Sequence, residues 1–144
     1  MLFRSGHTLG HISYFLPEKN WLFSGDCLFS LGCGRMFESS LDELYKSLYK
    51  LKKLPPETKV YFAHEYTENN LAFSLSLFPD DPALLDKKKR LEKQFADTGM
   101  SCPSVLSDEI KTNLFLRCHE SKLKHLGENE KAVFASLRKN KDRY

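Results

Sequence analysis

Three residues of this 144-residue chain are of types that hold transition metals and stand where a scaffold could aim them together. His7 lies in the turn Gly6-His7-Thr8-Leu9-Gly10-His11, which runs into an apolar stretch. Asp26 ends Ser24-Gly25-Asp26 after a second apolar run, and His64 closes Val60-Tyr61-Phe62-Ala63 and opens His64-Glu65-Tyr66-Thr67. If these runs are strands of one sheet, all three residues sit at strand ends, where loop side chains converge on one point. Neutral imidazoles with a carboxylate suit zinc, or iron or manganese, better than calcium or magnesium. A lone His or Asp in a loop is usually solvated or caps a helix; three such residues, each beside glycine or alanine, favour a shared site. His11 would face the same way as His7 only on a helix, and Thr8-Leu9-Gly10 reads as a turn, so a hydrogen-bonding or core histidine is expected there.

The runs GHTLGHISYF, GDCLFSLGCGRMFE and HEYTENNLAF resemble the metal-site segments of the glyoxalase II (hydroxyacylglutathione hydrolase) family of the metallo-β-lactamase superfamily, and the terminal LRKNKDRY is similar to that family's ending. The resemblance covers the chain in the family's order and spacing. It implies an α/β (α+β) fold: the last strands of a metallo-β-lactamase αββα sandwich over residues 1–78, then a small helical glutathione-binding domain over 79–144. It also implies hydrolysis of S-D-lactoylglutathione to D-lactate and glutathione by a metal-bound hydroxide, a step of methylglyoxal detoxification. In that scheme His7 ligates one metal, His64 the other, and Asp26 is the bridging catalytic carboxylate, one oxygen to each cation. Arg138 and Lys141 match the Arg-x-x-Lys clamp for glutathione, on one helix face at i, i+3. Tyr66 offers a hydroxyl beside His64, Arg35 takes a Lys/Arg position of the metal-site loop, and Phe37 stands where some relatives have tyrosine.

One part of the family pattern has no counterpart. The Thr-His-x-His-x-Asp-His motif, which supplies most ligands for the two metals, is matched nowhere among His7, His11, His64, His119 and His125. Each cation would then take two protein ligands, short of the three or more usual for catalytic zinc. The expectation is the rear part of such an enzyme, weak or inactive as this chain, with an incomplete ligand set at two zinc sites. At Arg4-Ser5 the similarity stops, as a shifted frame, a split gene or a mis-called start would leave it. The facing sheet of the sandwich is expected to be missing, leaving an apolar face for a complementing N-terminal half or for self-association. The alternative is a non-catalytic remnant with a glutathione-binding or protein-interaction surface. A persulfide dioxygenase is disfavoured by the HEYT run and the terminal Arg-x-x-Lys.

The elements that must position these residues follow from patterning. Residues 11–16 and 21–24 read as strands joined by the turn Pro17-Glu18-Lys19-Asn20. Residues 27–39 read as a glycine-bearing loop. Ser40-Leu41-Asp42-Glu43 is a capping box for a helix with Leu44, Leu48 and Leu51 inward, stopped by Pro55-Pro56, and 59–63 is a strand. Beyond Tyr66 the chain reads as helical: one helix through Leu71 and Phe78, another from Asp81-Pro82 to Gly99, and a last one from about Asn129. The run Lys87-Lys88-Lys89-Arg90 reads as a solvated face.

Composition sets the outer limits. With 41% hydrophobic and 28% charged residues the chain has material for a core, and disorder is excluded. The net charge of +3 comes from the rear, where Lys and Arg outnumber Asp and Glu by 14 to 11 from Asp80 onward. No basic stripe interleaved with aromatics points to nucleic acid, and no apolar run approaches the ~18 residues of a membrane span. Cys27, Cys33, Cys102 and Cys118 have no C-x-x-C spacing and read as reduced thiols of a cytoplasmic protein.

Overall fold

The computed structural model describes residues 2–4 and 6–144, the first three through their backbone alone. Ser5, half of the Arg4-Ser5 departure, lies outside the described residues. The strands are β1 (Leu2–Arg4), β2 (Ile12–Leu16), β3 (Trp21–Gly25), β4 (Leu28–Phe29), β5 (Gly32–Cys33), β6 (Lys59–Phe62) and β7 (Ser104–Val105). Five form one sheet in the order β1-β2-β3-β6-β7. β1, β2 and β3 run alternately up and down, β6 lies parallel to β3, and β7 closes the edge antiparallel to β6.

Period-two patterning gives this sheet two unlike faces. Phe15, Leu22 and Val60 are in register across β2, β3 and β6, and all are buried. Against them pack Leu44, Leu48 and Leu51 of α1 (Leu41–Leu51), together with Phe115, Phe134 and Leu137 from the rear of the chain. Ser40 accepts from the Glu43 N–H and Glu43 reaches back to the Ser40 N–H, so the helix starts where the capping box predicts. On the other face Tyr14, Phe23 and Tyr61 form a matching row; Tyr14 is 52% and Phe23 40% exposed. The Phe23 and Tyr61 rings stack at 5.1 Å, and Trp21 meets Tyr61 edge-on at 5.6 Å. The expected open apolar face is therefore present.

The remaining helices are α2 (Thr67–Leu77), α3 (Pro82–Thr98), α4 (Leu106–Thr112) and α5 (Glu130–Arg143). Asp81 caps α3 by accepting from the Ala83 N–H at 2.9 Å, Pro82 stands at its first turn, and Gly99 ends it at φ +72°. A smaller core of Leu31, Leu71, Leu84 and Leu91 joins α2 and α3 to the loop after β4.

Three features depart from the sequence reading. The glycine-bearing segment holds a two-stranded hairpin, β4 and β5, too short for any periodicity to reveal. Strand β7 joins the sheet from deep within the helical half. Lys87 is not solvated: its side chain is 5% exposed and its ammonium pairs with Asp108 and, at 3.5 Å, with the fully buried Glu109. A run of four cations must wrap around a helix, so one member faces inward, and the carboxylates that receive it lie some twenty residues away.

Candidate metal and substrate site

The topology delivers the three candidate ligands to one edge. Since β1 and β3 share a direction and β6 is parallel to β3, all three strands end on the same side of the sheet, the position at which α/β sheets bind ligands. His7 follows β1, Asp26 follows β3 and His64 follows β6. The Ala63 N–H continues the β3–β6 ladder onto Gly25 O at 3.2 Å, which ties the last two together. A register irregularity between Phe23 and Gly25, with Gly25 at φ +54°, turns Asp26 out of the strand. The Cys27 N–H to Ser24 O bond and the Ser24 Oγ to Leu28 O bond, 3.1 and 2.7 Å, close a tight turn around it.

The Asp26 carboxylate spans the two imidazoles: Oδ1 is 3.2 Å from His64 Nε2 and Oδ2 is 3.7 Å from His7 Nε2. His7 Nδ1 lies 2.6 Å from Arg35 O, and since a carbonyl only accepts, that nitrogen donates and the ring turns Nε2 toward Asp26. An imidazole whose far nitrogen donates to a carbonyl is the usual arrangement of a metal-bound histidine. The arrangement leaves two donors on either side of Asp26, short of a full ligand set for a cation. Among the described residues no group of three or more His, Cys, Asp and Glu gathers closely enough to hold an ion alone. His11 does not face this opening: its Nε2 accepts from the Asp26 N–H at 3.0 Å, the hydrogen-bonding role expected of it. Burial, and then the His7 ring, lower its pKa despite the Asp26 charge.

A cavity of about 610 Å³ opens beside these ligands. His7, Asp26, Arg35, Phe37, His64, Tyr66, Arg138 and Lys141, all the residues singled out in the sequence, line it. They differ in availability. Tyr66 is half exposed and stacks on His64 at 5.3 Å, and Phe37, 71% exposed, meets the His7 ring edge-on at 5.1 Å. Arg138 is buried: it donates to Cys33 O at 2.8 Å and to Asp142 Oδ1 at 2.9 Å, and so holds the wall from behind. Lys141 reaches Asn69 O at 3.2 Å and also contacts the Asn69 side chain. Burial, and then the Arg138 and Arg35 charges, lower its pKa to about 8.

Sequence reasoning missed the groups that brace the site loops. Glu65 accepts from the Ser101 N–H at 2.8 Å and from Ser101 Oγ at 2.6 Å, pinning the turn that carries His64. Asn70, Glu109 and Asn113 hold the segment after β4. These pairings join positions 36 to 81 residues apart, and no local pattern announces them.

The mixed sheet with helices on one face, and His, Asp and His at its strand ends, places the chain beside the metallo-β-lactamase superfamily once its sequence is compared. The superfamily model described as metallo-beta-lactamase matches residues 4–64. Residues 65–144, more than half of the chain, match the family described as hydroxyacylglutathione hydrolase C-terminus, and the chain belongs to that family. It is 43% identical over 143 residues to the hydroxyacylglutathione hydrolase of Rhizobium meliloti (strain 1021), covering 96% of this chain and 56% of that protein. Its identity to the same enzyme of Brucella ovis is 44%, with the same coverage. The chain therefore spans a little over half the length of these curated relatives. Among solved structures, BLEG-1 B3 metallo-beta-lactamase aligns with TM-score 0.51 and 23% identity over 80% of this chain and 40% of that one, a likeness of fold. TTHA1623 in a di-iron-bound form aligns with TM-score 0.50 and 27% identity over 78% and 39%.

Proposed function

We propose that this chain carries the rear ligands and the glutathione-binding wall of a thioester hydrolase acting on S-D-lactoylglutathione and related 2-hydroxyacylglutathiones. The observation that carries the reading is the Asp26 carboxylate held between His7 Nε2 and His64 Nε2 at the mouth of a cavity lined by Arg35, Arg138 and Lys141. Two metal ions, zinc in this reading and iron or manganese by the same ligand chemistry, supply Lewis acidity and activate water near neutral pH when bound. His7 and His64 would each hold one of them and Asp26 both.

The chain's own groups do the rest. Lys141 and Arg35 present positive charge to the peptide carboxylates of glutathione. Arg138 acts through Cys33 O, keeping the loop of Arg35 in place. Tyr66 offers its hydroxyl beside His64. The Arg35 carbonyl, bonded to His7 Nδ1, keeps Nε2 of that ring turned toward Asp26. The division into residues 1–78 and a helical unit over 79–144 belongs to the same proposal, as does a cytoplasmic setting, in keeping with four free cysteines.

The open aromatic face suits the part of the relatives' length that this chain does not span. A second apolar sheet laid on Tyr14, Phe23 and Tyr61 would bury them and bring further ligands to the same edge. The test is hydrolysis of S-D-lactoylglutathione by the chain with added zinc, alone and mixed with the N-terminal half of a relative. Cleavage in the mixture, abolished by Asp26→Asn, is expected. No cleavage in either, with folded protein that takes up no metal, favours a non-catalytic remnant whose glutathione-binding or interaction surface alone persists.

A further inference from the structure

The loop from Phe29 to Arg35 is gripped from behind by buried side chains of the helical half. Glu109, fully buried in α4, accepts from Ser30 Oγ at 3.0 Å and from the Leu31 N–H at 2.7 Å. One helical turn on, Asn113 donates to Gly32 O at 3.0 Å and to Phe29 O at 3.2 Å, and is itself within 3.3 Å of Glu109 Oε2. Asn70 donates to Ser30 O at 3.0 Å and Arg138 to Cys33 O at 2.8 Å. Between these anchors Leu31 stands at φ +60°, a left-handed conformation that a side chain with a Cβ adopts only under constraint. The N–H that this conformation turns inward is the one Glu109 takes.

The far end of the loop reaches the candidate ligands. Arg35 O accepts from His7 Nδ1 at 2.6 Å, and Gly34 N–H donates to Cys27 O at 3.2 Å, next to Asp26. Any change in the loop's course moves the carbonyl that orients His7.

We propose that Glu109 is a positioning residue for the site: by holding Ser30 and the left-handed Leu31 it sets the course of the loop so that Arg35 O meets His7 Nδ1 and His7 Nε2 faces Asp26. This rests on the reading of His7 as a ligand. Glu109 does not line the cavity and acts wholly through the loop. The carboxylate suits the task because it takes a hydroxyl and a backbone amide at once and is balanced by Lys87 at 3.5 Å. Its place in α4, one turn from Asn113, puts two grips on one rigid element.

Side-chain nitrogen NMR of the uniformly labelled 144-residue chain, without added metal, reads the His7 tautomer directly. In the parent chain His7 is expected to carry its proton on Nδ1. In Glu109→Gln the His7 signals shift toward the Nε2–H tautomer, His119 stays unchanged, and the Leu31 amide exchanges with solvent about tenfold faster or more, as loss of a charge-assisted bond requires. Asp108→Asn loosens the same buried cluster, keeps Lys87 beside Glu109 and removes no bond to the loop, and leaves His7 as in the parent. A folded Glu109→Gln with unaltered His7 and Leu31 signals overturns the proposal, as does an equal His7 shift in Asp108→Asn. Should Glu109→Gln not fold, the parent decides: a Leu31 amide as protected as those of β6 upholds the grip, and one exchanging like an open loop refutes it. Neither metal nor thioester cleavage enters the readout, so a failure of the hydrolase reading is told apart from a failure of this one.

Discussion

Lys141 shows how surroundings set the charge of a single side chain. Burial and the neighbouring Arg138 and Arg35 hold its pKa near 8, below the ordinary lysine value of 10.5. The folded state therefore binds its proton less readily than the unfolded one. This costs stability below pH 8, and the cost fades as pH rises toward the unfolded value. For binding the sign is opposite, because the cation offered to a ligand carboxylate is lost through pH 8. Calorimetric affinity for an S-alkylglutathione is expected to fall several-fold between pH 7 and pH 9, and Lys141→Met to weaken binding at pH 7 and flatten that dependence. Gly34 makes a second residue-scale test. A Cβ there would lie 3.0 Å from His7 Nδ1 and would collide with Asp26 O, so the loop approaches the ligands as closely as it does only because the side chain is absent. Gly34→Ala is expected to lower zinc uptake at least tenfold in equilibrium dialysis while the far-ultraviolet circular dichroism stays that of the parent.

Among the elements, α3 depends on the residue before it, Asp81, for more than a cap. Asp81 accepts from the Ala83 N–H and also pairs with Arg117 at 2.8 Å and Lys122 at 2.6 Å. Burial raises its pKa, but Lys122 and Arg117 outweigh that and hold the carboxyl at about 2, below its ordinary 3.8. The folded value is depressed, so the contribution is complete above pH 4 and is lost as pH falls through 2. Asp81→Asn removes one of the two carboxylates that neutralise the buried Arg117, leaving Glu120 at 2.9 Å, and is expected to cost about 2 kcal/mol in urea unfolding at pH 7. The gap between variant and parent should close between pH 4 and pH 2. Helix α4 works differently: Leu106 joins the core, while Glu109 and the C-cap residue Asn113 hold a loop.

At the scale of the whole molecule the sheet is finished on one face only. Tyr14, Leu16 and Phe23 are each more than a third exposed and adjoin Trp21 and Tyr61, a contiguous apolar surface of the kind that soluble monomers rarely leave open. Sedimentation velocity is expected to show concentration-dependent association of the isolated chain. Tyr14→Lys with Phe23→Lys should suppress it at the cost of the Phe23–Tyr61 stack, while the buried face of Phe15, Leu22 and Val60 keeps the sheet folded. An N-terminal half from a relative should do the same by covering the face.

Much of this architecture was legible locally. The Ser40–Glu43 box, the Asp81-Pro82 start and the Gly99 stop are short-range signals, and apolar runs bounded by turn residues marked β2, β3 and β6. The candidate ligands were legible for a related reason: His7, Asp26 and His64 stand where apolar patterning breaks, and their runs keep a family's order. What only the tertiary structure decided are the choices that depend on distant chain. Strand β7 is two residues long and gains its identity from pairing with β6. Lys87 is buried because Asp108 and Glu109 come to meet it. Arg138 resembles a ligand-binding cation in sequence, yet in space its guanidinium is largely engaged by Cys33 O and Asp142. Spacing within a helix or strand is fixed by covalent geometry and can be read along the chain, whereas the partner of a buried charge is set by which segments pack together.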